Sequence, residues 1–236
     1  MRRMSYYAVL LAATMIATQI AVPEVEITAE PHHHLTLENK SVRVFNVQVD
    51  PNTETLMHRH RHDYVAINLG QAEIANLVQD KPPVNVKFQD GDTRFSGANF
   101  AHIVRCVGNL PFRNVTIEIL QDDSLRQTQF PWDANQNEDR ALNTFSGGTQ
   151  QIFFVKDAIR VSEIELQPKA VVPQPPRVGP QLLVALNEFD LRSGRGKDSK
   201  SEHLRAGESR WFEASPSHAM TNAGTTPARF ITLEFP

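Results

Sequence analysis

An all-β protein of two repeated domains is predicted from three patterns in this 236-residue chain. The first is an internal repeat. Ser41 to Pro51 aligns with Ala158 to Pro168 at an offset of 117, keeping Arg43 in step with Arg160, Val44 with Val161 and Pro51 with Pro168. Further on, Gly91, Arg94, His102, Arg113 and Glu118 fall on Gly207, Arg210, His218, Arg229 and Glu234 at an offset of 116. The second pattern is alternation of apolar and polar residues in short runs broken by turn residues, with no stretch of helical period. The third is a row of histidines, His58, His60 and His62, at two-residue spacing, which describes a strand carrying imidazoles on one face.

Taken in order, residues 1–22 have Arg2 and Arg3, an apolar run from Tyr6 to about Ile16 and small residues towards Ala21, the plan of a secretory signal. Export to the periplasm or the medium is expected, with membrane contact only if the signal stays uncleaved. Residues 30–121 form the first domain: Val42 to Val49 and Asn114 to Leu120 alternate as strands, and Asp90-Gly91-Asp92 marks a turn. Residues 122–144 are polar and read as a linker. Residues 145–236 form the second domain, with Ile159 to Leu166 and Phe230 to Phe235 alternating again. Strands so spaced, without helices between them, imply an antiparallel sandwich or small barrel in each half.

Composition narrows the function. Net charge is -3 with both signs interspersed, so no basic stripe offers a nucleic-acid surface. The single Cys106 has no partner for an internal disulfide. Partners expected are therefore a small-molecule ligand or substrate, with a homodimer left open.

The histidine row is the chemical centre of the sequence. At a rise of about 3.3 Å per residue, His58 and His60 stand about 6.6 Å apart at Cα on one face. That separation lets two imidazoles converge on one ion at about 2.0–2.1 Å from each nitrogen. Along the strand His62 shares their face, although the outer two of the row are about 13 Å apart at Cα. The triplet His32 to His34 reads as a surface tract.

These residues resemble the cupin family, whose first motif is Gly, five residues, His-x-His, three or four residues, Glu, six residues, Gly. Asn52 stands at the first Gly, His58 and His60 at the His pair and Gly70 at the last Gly; Tyr64 stands at the Glu by strand parity. The second motif lands on Gly91, Gly97, Asn99, His102 and Cys106 with its spacing kept. The resemblance implies two tandem cupin jelly-roll β-barrels, a bicupin. It implies one divalent metal (Fe, Zn, Mn or Ni) on His58, His60 and His102, with His62 a further candidate and Tyr64 a candidate catalytic residue. In the second copy Pro175, Arg177 and Gln181 replace His58, His60 and Tyr64, so that barrel is expected to be metal-free.

Without a carboxylate, neutral imidazoles leave the full double charge on a divalent ion, which favours an anionic ligand. The function expected is an exported, metal-dependent, dioxygenase-like oxidoreductase acting on a small organic acid or phenolic compound. The alternative is a non-catalytic protein that binds a small molecule or a metal. With unperturbed histidines, metal affinity is expected to fall through about pH 6.

Overall fold

The computed structural model describes residues 23–120, 141–156, 158–173, 179–194, 196–214 and 219–236. The expected signal, most of the linker, and Pro175, Arg177 and His218 lie outside the described residues. Among those described, regular structure is strand apart from short 3-10 turns, and no helix is long and apolar enough to cross a membrane.

The N-terminal domain contains β1 (Val25–Glu26), β2 (His33–Glu38), β3 (Val42–Val49), β4 (His58–His60), β5 (Tyr64–Asn68), β6 (Ala72–Val78), β7 (Val84–Phe88), β8 (Thr93–Ser96), β9 (Phe100–Cys106) and β10 (Phe112–Ile119). They form two sheets, ordered β1-β4-β9-β6-β7 and β2-β3-β10-β5-β8. Phe45, Val47, Val49, Ile74, Val104, Cys106 and Phe112 pack together as their shared core.

The C-terminal domain contains β11 (Leu142–Phe145), β12 (Gly148–Lys156), β13 (Ile159–Leu166), β14 (Gln181–Ala185), β15 (Phe189–Ser193), β16 (Lys200–Leu204), β17 (Ser209–Phe212), β18 (Met220–Asn222) and β19 (Ala228–Glu234). Its sheets are ordered β11-β12-β13-β19-β14-β17 and β16-β15-β18. Two boundaries differ from the sequence expectation. β1 pairs with β4, so the first domain starts before residue 30, and β11 pairs with β12 inside the expected linker. Both are short edge strands of mixed polarity and carry no alternation to read.

The repeat is visible in the register. Glu118 on β10 pairs with Arg43 on one side and Tyr64 on the other; Glu234 on β19 pairs with Arg160 and Gln181 in the same way. The outward faces of these strands meet. Val42, Val44, Val65, Ile67, Val115 and Ile117 pack with Ile159, Val161, Leu182, Val184, Ile231, Leu233 and Phe235 in one core shared by the two domains. Strands covered on both faces are apolar at almost every outward position, while their inward residues, Arg43, Tyr64, Asn114, Thr116 and Glu118, are free to be polar. Arg229 reinforces the junction, donating to Asp90 of the first domain at 2.8 Å and to Glu163 of its own at 2.8 Å.

Because the core is shared, Phe235→Ala should weaken both barrels at once. Phe235 is fully buried against Trp211, so its truncation is expected to cost about 3–5 kcal/mol. Urea unfolding followed by tryptophan fluorescence and by circular dichroism should give one coincident, shifted transition. Two separate transitions would refute a shared folding unit.

Candidate metal centre

Four imidazoles, not three, converge in the N-terminal barrel. β4 brings His58 and His60 to the inward face, fully and almost fully buried, and antiparallel pairing sets His102 of β9 directly opposite His58. β2 adds His33, which is 8% exposed. Ring centroids lie 4.5 Å apart for His58–His102, 4.6 Å for His33–His58, 5.1 Å for His60–His102 and 5.2 Å for His58–His60. Ligating nitrogens of His33, His58 and His60 fall within 4.8 Å of one another, and Nε2 of His60 lies 3.2 Å from Nε2 of His102.

The partners of the other ring nitrogens decide where the lone pairs point. Nδ1–H of His33 donates to Glu30 at 2.6 Å, that of His58 to the Leu56 carbonyl at 2.9 Å, and that of His102 to the Asn76 side-chain oxygen at 2.8 Å. A proton on each Nδ1 leaves each Nε2 as a bare lone pair facing the cluster, the arrangement by which proteins orient histidine ligands. His58 Nε2 is buried with no hydrogen-bond partner, an expensive state for a polar atom unless a cation satisfies it. Nitrogens sharing one ion at about 2.1 Å with tetrahedral angles are about 3.4 Å apart, close to the 3.2 Å between His60 and His102. The residues therefore fit a divalent metal.

Around this group the charges are sorted. Glu30 is 1% exposed; burial alone would raise its carboxyl, but hydrogen bonds from the His33 and His32 rings and from the Leu56 amide hold it down to about 2. Burial pushes His58 down to about 4 against the opposing hydrogen bond to the Leu56 carbonyl. Burial first, then the charges of neighbouring imidazoles, also push His60 and His102 well below the usual imidazole range, so these rings stay neutral with their lone pairs available. Glu118, 1% exposed, sits with Oε1 4.0 Å from Nδ1 of His60, and neither atom has a hydrogen-bond partner. Its other oxygen accepts from Arg43 at 3.1 Å.

A cavity of about 160 Å³ opens beside the cluster. His33, His60 and His102 form one wall; Tyr64, Ser96, Arg94, Asn114 and Thr116 supply its polar groups, and Phe88 and Phe112 its apolar ones. No carboxylate of the described residues lines it. The Arg94 guanidinium lies 4.7 Å over the Phe88 ring, and the residue is exposed to solvent at the cavity rim. Its counterpart in the second copy, Arg210, is taken up by Glu202 at 2.5 Å.

The sequence candidates are placed unevenly. His58, His60 and His102 come together. Tyr64 lies beside them, its ring stacked on His60 at 4.1 Å and its hydroxyl bonded to Ser96; burial raises its pKa. His62 is not brought to the cluster. β4 ends at His60 and the chain bends over residues 61–63 before β5, which leaves His62 exposed and ends the parity that the row implied. His33 is the residue that the surface-tract reading missed. Alternation along β2 turns it inward and leaves His34 exposed, and the only sequence signal was Glu30 three residues earlier. Cys106 is buried core, its thiol 3.2 Å from the Leu110 carbonyl.

No family model and no curated protein matches this chain in sequence. Solved structures match it in fold. A formate complex of Lactobacillus farciminis oxalate decarboxylase is 12% identical with a TM-score of 0.58, covering 86% of this chain and 84% of that one. A mutant of Bacillus subtilis oxalate decarboxylase is 13% identical with a TM-score of 0.57, covering 86% of this chain and 74% of that one. Another structure of the Bacillus protein, at 12% identity and a TM-score of 0.56, concerns its Mn(II) centres. The fold is the two-barrel cupin fold, as the resemblance implied.

Proposed function

We propose that this chain is an exported, metal-dependent bicupin oxidoreductase acting on a small organic acid or phenolic compound in its N-terminal barrel. The observation that carries this reading is the orphaned His58 Nε2 among converging imidazoles, of which His33, His60 and His102 wall a cavity that also presents Arg94 and Tyr64. Export rests on the pattern of residues 1–22.

A divalent ion on these histidines would supply Lewis-acid polarisation or, if redox-active, electron exchange with dioxygen. The protein's own groups do the rest. Arg94 offers a two-pronged donor to a carboxylate, held over Phe88 with no acid among the described residues lining the cavity to compete. Phe88 and Phe112 form apolar walls that suit an aromatic ring and keep water from it. Tyr64 is placed to donate its hydroxyl to a bound oxygen atom once it turns from Ser96, and its raised pKa keeps that proton in place at neutral pH. The volume is well below the roughly 300 Å³ at which drug-sized pockets begin, so the ligand is small.

The test is turnover of small carboxylic acids and phenols by protein loaded with iron, manganese, zinc or nickel. Arg94→Gln should raise the KM for acids about tenfold or more, and Tyr64→Phe should lower kcat with metal content unchanged. Among the described residues no carboxylate acid or base lines the cavity, which favours a second reading, capture without catalysis. Metal-dependent heat of binding with no turnover of any compound would establish it.

A further inference from the structure

We infer that His33 is a fourth ligand, so that the N-terminal barrel binds its ion through four imidazoles and carries the balancing carboxylate, Glu30, one bond further out. This rests on the metal reading above. Three observations converge on it. The ligating nitrogens of His33, His58 and His60 already lie within 4.8 Å of one another, and the His33 ring centroid is 4.6 Å from that of His58. Glu30 is sealed from solvent and fixed by four N–H donors: the His32 amide at 2.8 Å, the His32 ring at 3.0 Å, the His33 ring at 2.6 Å and the Leu56 amide at 3.1 Å. That network aims the His33 ring inward with Nε2 unprotonated. Position 64 cannot take the role, because its side chain is a phenol stacked flat on His60 with its hydroxyl on Ser96.

Two consequences follow from the donor set. A carboxylate hydrogen-bonded to a ligating imidazole raises its basicity, so Glu30 passes part of its charge to the ion through the ring. Four nitrogen donors and no oxygen suit copper, zinc, nickel or iron, whereas manganese prefers carboxylate and water oxygen. The site is therefore expected to prefer zinc and copper over manganese. The ligand also comes from β2, at the edge of its sheet, so bound metal would tie that edge to β4 of the facing sheet.

The experiment uses the untagged chain and metal alone as the probe. Pulsed electron paramagnetic resonance of the copper(II) form counts bound imidazoles, and chelator competition gives zinc and manganese affinities. Wild type should show four imidazoles and His33→Gln three. Zinc affinity should fall about tenfold to a hundredfold in His33→Gln and about tenfold in Glu30→Gln. Three imidazoles in wild type, or undiminished zinc binding by His33→Gln, overturns the fourth ligand while the metal centre stands. If wild type binds neither zinc nor copper, the metal reading fails and this inference with it. Should His33→Gln not fold, the wild-type count alone decides.

Discussion

His60→Ala is expected to abolish stoichiometric metal binding, lowering affinity by well over a hundredfold, more than the tenfold to hundredfold typical of removing a residue behind a ligand. His60 is the hinge of the cluster: its Nε2 faces His102 at 3.2 Å and its centroid lies 5.2 Å from that of His58. Nδ1 of His102 donates to Asn76, so both facing nitrogens can be lone pairs only when a cation lies between them. Without metal, the His60 proton resides on Nε2; metal drives it to Nδ1, towards the unpartnered Glu118 oxygen 4.0 Å away. His62→Ala, altering an exposed residue, should leave metal content unchanged. Metal analysis of untagged protein settles it: equal content in His60→Ala and wild type would remove the centre from this barrel.

Acidification should unfold the metal-free protein well before it strips metal from the loaded one. His58, His60 and His102 are held neutral when folded, by burial first, with His58 pushed down to about 4, whereas in the unfolded chain they take protons near 6.5. Between these values the unfolded state binds more protons, so stability falls as pH is lowered below 6.5. Each such histidine contributes up to about 1.4 kcal/mol per pH unit, and three together up to about 4 kcal/mol per unit near pH 5. Glu30, lowered when folded, adds a further loss as pH falls below 4.5. Urea midpoints of apoprotein at pH 7.5, 6.5 and 5.5 check this, and an unchanged midpoint would refute it. Metal affinity of the folded protein should hold down to about pH 5, because burial keeps His58, His60 and His102 from taking up protons there. Burial thus shifts the loss expected near pH 6 for unperturbed imidazoles to lower pH.

The resemblance was legible even where residues departed from its motifs, because some departures keep the backbone. Asn52 and Asn99 replace motif glycines and adopt φ of +61° and +66°, the left-handed region that asparagine tolerates better than most residues. Gly91 and Gly207, one repeat apart, keep φ of +82° and +87°. Tyr64 reached the cluster, but not by the parity that selected it. The chain breaks between β4 and β5, and the ring arrives by stacking on His60 from the other sheet.

Strand alternation and a self-repeat are local properties, so patterning and spacing specified two β domains and the inward pair His58 and His60, while the family resemblance supplied His102 through its second motif. Long-range assembly settled what spacing could not. His33 joins the cluster because β2 pairs with β3 and turns it inward, and His62 leaves because a bend of three residues ends β4. The groups that stand behind the candidate ligand rings, Glu30 and Asn76 by hydrogen bonds and Glu118 at 4.0 Å, come from three separate strands or turns. Their roles depend on distances across the barrel, which linear spacing does not encode.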